Sequence, residues 1–288
     1  MSHALIFGCG YSGRAIAAEL IAAGWRVSGT TRSDDGAQGL APVGVEAHVF
    51  EGDRPSTSVH RALETATHVI ASIAPTADGD PVLAHHTDDL ANATKLEWIG
   101  YLSTVGVYGD HGGAWVDGTI PPRPVSARSR QRLDAERAWQ DLSGRLGVPL
   151  QIFRLSGIYG PGRGVIEKLR AGTARRLVKP GQIFNRIHVA DIAGAVAAGI
   201  AHPEVGGIVN VTDDLPAPPQ DVVAYAADLL GVHPPPEIPF ETADLTSMAR
   251  SFYGENKRVA NARLKRELGY ALRHPTYREG LASLTRGG

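Results

Sequence analysis

The sequence predicts an α/β fold, a doubly wound parallel sheet with a small C-terminal lobe, and three observations carry that reading. Short apolar runs recur at Ala4–Phe7, Arg26–Thr30, Val45–Phe50, His68–Ser72, Glu97–Ser103, Leu150–Leu155 and Ile208–Val211. Helical patterns fall between several of them, as in Gly13–Ala23 and Gln131–Leu146, and a glycine-rich turn follows the first run. Buried strands alternating with helices are the pattern of right-handed βαβ crossovers, which leave a parallel sheet covered on both faces.

The first strand runs into Gly8-Cys9-Gly10-Tyr11-Ser12-Gly13, where a helix opens. Glycine lets the turn be tight and lets the backbone approach a pyrophosphate seated on the amides of the helix N-terminus. Gly8, Gly10, Tyr11, Ser12 and Gly13 are therefore expected to hold a dinucleotide, in a Rossmann-type unit. Cys9 reads as a small buried residue. The second strand ends in Thr30-Thr31-Arg32-Ser33, with no carboxylate before Asp34. An NAD site usually places an acid there for the ribose hydroxyls, whereas a guanidinium takes a 2′-phosphate through paired hydrogen bonds. Thr31 and Arg32 thus favour NADP(H) over NAD.

The later chain changes character. Pro216-Ala217-Pro218-Pro219 and Pro234-Pro235-Pro236 punctuate it, and Arg258–Gly269 reads as an amphipathic helix closed by glycine. Residues 1–160, with 182–212 returning to them, are expected to form the cofactor domain. Residues 161–181 and 213–288 are expected to form the substrate lobe. With 288 residues, 43% of them hydrophobic, there is ample material for a core. Lys and Arg number 29 against 30 Asp and Glu, so charge gives no support to a nucleic-acid partner. No apolar run approaches the roughly 20 residues that span a bilayer, and the first residues lead into a strand rather than a signal peptide. The one cysteine makes no intrachain disulfide. The expectation is a cytoplasmic monomer or homodimer acting on a small molecule.

Further motifs follow in order: Gly52-Asp53 after the third strand, Ala71-Ser72-Ile73-Ala74, the run from Leu102 to Gly109 with Thr104 inside it, Phe153 to Gly162, Arg186 to Asp191, and Leu268-Gly269-Tyr270. Together with the glycine loop they resemble the short-chain dehydrogenase/reductase superfamily, in its extended or atypical NAD-dependent epimerase/dehydratase branch. The resemblance covers nearly the whole chain. It implies that Asp53 contacts adenine and that Ala71, Ser72 and Ile73 line the nicotinamide side. It also implies that Thr104 is the catalytic hydroxyl and that Gly157 and Tyr159 open the substrate site.

Active members of this superfamily carry Tyr-x-x-x-Lys on the helix after the Thr104 strand, with the tyrosine as acid/base and the lysine on the nicotinamide ribose. Here the pattern lands on Arg128 and Arg132; no tyrosine lies between Tyr108 and Tyr159, and no lysine between Lys95 and Lys168. Arginine stays protonated, so Arg128 cannot act as a base, while Arg132 can keep the ribose contacts. Tyr108, near the same strand end, is the candidate replacement phenol. Arg128 and Arg154 are candidates for an anionic group of the substrate. Tyr253 to Lys257 repeats the Tyr-x-x-x-Lys spacing far from its usual place and reads as coincidence, and His188 reads as structural. His85-His86 and Asp88-Asp89 diverge around a helix, so no metal site is expected. Two functions stay open: an NADP(H)-dependent oxidoreductase or epimerase, with a nucleotide sugar as one candidate substrate, and a non-catalytic NADP(H)-binding redox sensor or regulatory protein.

Overall fold

The computed structural model describes residues 2–285. Its first half runs β1 (His3–Phe7), α1 (Tyr11–Ala22), β2 (Arg26–Thr31), α2 (Asp34–Gln38), β3 (Glu46–Val49), α3 (Thr57–Leu63), β4 (His68–Ala71), α4 (Pro81–Asn92), β5 (Trp98–Thr104), β6 (Trp115–Val116), α5 (Ala127–Leu146) and β7 (Leu150–Leu155). The second half gives β8 (Gly157–Tyr159), α6 (Val165–Arg170), β9 (Arg176–Val178), β10 (Arg186–His188), α7 (Val189–Ala201), β11 (Gly207–Val211) and α8 (Pro219–Leu229). It ends with β12 (Glu237–Pro239), α9 (Ser247–Phe252), β13 (Arg258–Val259), α10 (Ala262–Arg266) and α11 (Tyr277–Thr285).

The seven expected strands pair in parallel in the order β3-β2-β1-β4-β5-β7-β11. The order reverses between β1 and β4. Crossovers leave those two strands in opposite directions, and a crevice opens above their C-terminal ends, where this sheet type takes ligands. Alternation along each strand separates the two cores. Ala4, Ile6 and Trp98 pack with Ile16 of α1 and Val196 of α7, while Leu5, Phe7 and Ile99 pack with Val59 of α3 and Trp139 of α5.

Helix ends are fixed by local chemistry. The Asp80 carboxylate accepts the Val82 N–H at 2.9 Å to start α4, and its other oxygen takes the Trp139 indole N–H at 3.0 Å. Ser126 caps α5 through the Ser129 N–H at 3.1 Å, and Gly147, at φ +66°, ends it. Such a cap is worth about 1 kcal/mol.

The expected helix over Arg258–Gly269 is corrected. Arg258 and Val259 pair with β6, and the Val259 N–H donates to Asn185 Oδ1 at 2.8 Å, so helical bonding begins only at α10. Tyr159, Ile166, Val222, Ala226, Tyr277 and Leu281 form a separate small core beside the sheet. No helix among the described residues is long and apolar enough to cross a membrane.

Candidate functional site

The glycines of the first turn are required for different reasons. Gly8 has φ +84°, and a Cβ there would stand 2.9 Å from Ile73 Cγ1; a Cβ on Gly13 would stand 2.8 Å from the Gly8 carbonyl. Those two let the β1–α1 turn close against the exit of β4. Gly10 is exposed and a Cβ on it would meet nothing within 4 Å, so the loop backbone lies bare toward the crevice, a cradle that fits a pyrophosphate. Ser12 is buried in the first turn of α1. Tyr11 reaches away, donating to the Pro161 carbonyl at 3.0 Å beneath the Arg163 guanidinium, and so braces the loop against the turn after β8. Burial against Gly29 pushes the Cys9 thiol up to about 11, which leaves it inert at neutral pH.

At the end of β2, Thr31 Oγ1 exchanges hydrogen bonds with the Ser33 backbone, and Arg32 projects exposed from the turn. Arg14, one residue past the last motif glycine, joins this edge: its Nη1 donates to the Gly39 carbonyl at 2.8 Å, at the end of the helix that Ser33 caps. Sequence reasoning passed over it, although its place in the first turn of α1 was the available signal. Asp53 is exposed beyond β3. Ala71 is buried, and Ser72 and Ile73 stand half-buried at the exit of β4, with the Ser72 N–H on the Phe7 carbonyl at 2.8 Å.

The two arginines at the Tyr-x-x-x-Lys positions part company. Arg132 turns inward, its Nη1 donating to Tyr101 Oη at 2.9 Å and to the Leu102 carbonyl at 3.0 Å, with the Ile73 carbonyl at 3.4 Å. It bridges the ends of β4 and β5. Arg128 is exposed, and Arg130 folds back on the Val125 carbonyl at 3.0 Å, so neither joins Arg132. The first buried side chain of α5 is Ser129; Arg128 precedes the point where the helix meets the sheet.

Two further expectations are corrected. Arg154 is buried against Glu136, Nε to Oε1 at 3.0 Å and Nη2 to Oε2 at 2.7 Å, and does not line the cavity at the ends of β5 and β7. Tyr108 is fully buried beside Val116 and Val259. Its hydroxyl donates to Asn210 Oδ1 at 2.7 Å, the Arg154 guanidinium lies 4.7 Å from its ring centroid, and burial raises its pKa.

A cavity of about 960 Å³ opens where β5 and β7 end. Thr104, Gly157 and Tyr159 line it; Tyr108, Arg128 and Arg154 do not. Thr104 pairs with Leu155 in the sheet, and its Oγ1 accepts the Gly106 N–H at 3.1 Å, which leaves the hydroxyl hydrogen free. Tyr159 lines the wall through its ring, while its hydroxyl is buried toward Gly280. Asn185, Arg186, Glu255 and Lys257 line the cavity as well, none of which the sequence marked as site residues. Behind Arg186, burial pushes the Asp213 carboxyl up to about 7; the Leu215 N–H and Arg186 only partly oppose it.

The model of the NAD dependent epimerase/dehydratase family matches residues 4–212. The chain belongs to this family. A structure of a functionally unknown conserved protein from Silicibacter pomeroyi DSS is 49% identical, with a TM-score of 0.90 and coverage of 99% of each chain. Protein YeeZ of Escherichia coli K12 is 28% identical over 96% of this chain and 97% of its own length. Human epimerase family protein SDR39U1, solved with NADPH, shares the fold at 18% identity and a TM-score of 0.76, covering 99% of this chain and 99% of its own. The chain is thus an NAD(P)-binding member of the epimerase/dehydratase family.

In this epimerase/dehydratase chain, His188, Asp191 and His274 come together with ligand-type atoms within 4.8 Å of one another. Their hydrogen bonds describe a clasp. Asp191 accepts from Tyr270 Oη, the Arg273 and His274 N–H groups and His274 Nδ1. His188 Nδ1 accepts the Ala190 N–H at 3.2 Å, which places the ring proton on Nε2, and no lone pair is left there for a metal. Burial, aided by His274, lowers the His188 pKa to about 4, so the ring is neutral. His86 is spent likewise, with Nδ1 on Asp89 at 2.7 Å and Nε2 on the Ser56 N–H at 3.4 Å.

Proposed function

We propose that this chain is an NADP(H)-dependent oxidoreductase or epimerase whose substrate enters the lobe cavity beside Thr104. The observation that carries the reading is a shared sheet edge: the glycine loop leaves β1 beside β4 at the C-terminal edge of the sheet, and the cavity opens at the same edge where β5 and β7 end. In this reading residues 1–160 with 182–212 hold the cofactor, and residues 161–181 and 213–288 complete the substrate side.

Gly8 and Gly10 shape the loop, their own N–H groups being spent on Thr30 Oγ1 and the Gly8 carbonyl. The amides at the start of α1, at Tyr11, Ser12 and Gly13, therefore face the pyrophosphate, the Tyr11 side chain braces the loop, and Asp53 stands beside adenine. Thr31 and Arg32, supported by Arg14, take the 2′-phosphate; the absence of a carboxylate before Asp34 supports NADP(H) over NAD. Ala71, Ser72, Ile73 and Arg132 border the nicotinamide ribose, Arg132 standing where the family's lysine would. When bound, the cofactor supplies or accepts a hydride. Thr104 donates its hydroxyl hydrogen to the substrate oxygen, and Gly157 and Tyr159 shape the wall. Lys168, Arg175 and Arg186 around the cavity favour an anionic substrate such as a phosphorylated or nucleotide-linked sugar.

A second reading, an NADP(H)-binding sensor without turnover, is supported by the outward Arg128 and the buried Tyr108. Fluorescence titration with NADPH and NADH, followed by NADPH consumption across carbonyl compounds, separates the two. NADPH bound with no carbonyl reduced or isomerised would leave the sensor.

A further inference from the structure

Among the ionisable groups lining the cavity, Lys168 and Asp244 are exposed to solvent. Arg186 stays charged, and Tyr159 turns its hydroxyl into the lobe core. Tyr253 stacks on Phe240 at 4.8 Å between ring centroids. Lys257 and Glu255 differ. Their side chains are 6% and 14% exposed, both line the cavity, and Lys257 Nζ donates to Glu255 Oε2 at 2.6 Å and to the Gly109 carbonyl at 2.8 Å.

Two positions of this pair are unspent. An ammonium has three N–H donors and two are used; Glu255 Oε2 carries the ion pair, and among the described residues Oε1 has no partner. Gly109 closes the turn that begins at Thr104, so the bond from Nζ ties Lys257 to the segment bearing the cavity hydroxyl. Burying such a pair costs several kcal/mol in desolvation, and a backbone clamp alone would not require a partner carboxylate facing the same cavity. Unlike the arginines at 128 and 132, lysine can release its proton.

We propose that Lys257, held by Glu255, is the proton donor of the cavity and substitutes for the missing tyrosine. The proposal rests on the oxidoreductase reading, with a reduced nicotinamide as the two-electron donor to a carbonyl substrate. As hydride bonds to the carbonyl carbon, the C=O π pair moves to oxygen. The N–H bond of Lys257 breaks, its electron pair stays on nitrogen, and the proton forms the O–H bond of the alcohol. The neutral amine is reprotonated from solvent through the cavity, and Glu255 stays anionic throughout.

The test compares wild type, Lys257→Arg, Lys257→Met and Glu255→Gln with NADPH and 4-nitrobenzaldehyde, methylglyoxal or 9,10-phenanthrenequinone. Lys257→Arg keeps a charge for Glu255 and Gly109, so melting temperature and NADPH affinity are expected to hold while turnover falls about 100-fold, the scale of general acid catalysis. Wild-type turnover in Lys257→Arg overturns the proposal and leaves the oxidoreductase reading standing; no NADPH consumption by wild type overturns both. A second readout needs no cofactor. Reductive methylation with formaldehyde, followed by peptide mass spectrometry, should label Lys257 in the folded protein, more slowly than exposed Lys95. Lys257 unlabelled when Lys95 is fully dimethylated would also overturn the proposal.

Discussion

Arg154 and Glu136 form a buried two-bond ion pair, their side chains 1% and 2% exposed, and the Ser103 hydroxyl donates to the same carboxylate. The pair joins β7 to α5 behind the Thr104 strand end. Desolvating two charges offsets much of their attraction, so the pair adds little net stability over an apolar replacement, yet removing one partner strands the other. Glu136→Leu or Arg154→Met alone is expected to lower unfolding free energy by about 3–5 kcal/mol. The double variant should recover most of that loss. Chemical denaturation of the three variants checks it, and single variants within error of wild type would refute it.

The exposed guanidiniums at the end of β2 give a second expectation. A charge-assisted hydrogen bond contributes about 1.5–3 kcal/mol, so Arg32→Ala or Arg14→Ala should weaken NADPH roughly 10- to 100-fold while leaving NADH nearly unchanged. Fluorescence titration with both cofactors reads this directly. Equal weakening of both would mean that the arginines support the fold of the loop rather than the 2′-phosphate.

The fold was legible because its signals are local. All seven sheet strands were marked by apolar runs, and their ends moved by no more than one residue. Thr104, Gly157 and Tyr159 reached the cavity because strand ends fix them. The failures were of direction. Arg128 and Arg132 share a helix face by spacing, but only Arg132 lies where that face meets the sheet. Arg154 reads as an unpaired cation in the sequence because its partner Glu136 comes near only across the β7–α5 packing. Lys257 is far from Gly109 in the chain, and only the pairing of β13 with β6 brings the two together.

Asp213 should impose a pH dependence on stability. Burial raises its carboxyl to about 7, and its Oδ2 has no hydrogen-bond partner. Between the ordinary carboxylate value and 7, the folded state holds a proton that the unfolded chain has lost. Stability from this group is therefore full at about pH 4 and falls as pH rises through 7. Asp213→Asn keeps an oxygen for the Leu215 N–H and mimics the protonated form. It should match wild type near pH 4.5 and exceed it by on the order of 2 kcal/mol at pH 8. Urea midpoints at the two pH values measure the difference, and a variant weaker than wild type at pH 8 would show that Arg186 needs the anion.

Tyr108 separates packing from chemistry most simply. Its hydroxyl is spent on Asn210, whose amide in turn donates to the Ala260 carbonyl at 3.1 Å. Tyr108→Phe keeps the ring beneath Arg154 and removes one buried hydrogen bond, leaving Asn210 Oδ1 without its donor. The expected cost is about 1–3 kcal/mol of stability. With the phenol walled off from the cavity, NADPH affinity and any carbonyl turnover should stay within a factor of about two. Thermal unfolding and NADPH consumption on the same preparation check both halves. A loss of turnover of about 100-fold at unchanged stability, the scale of a removed general acid, would return Tyr108 to the reacting centre and displace Lys257 from it.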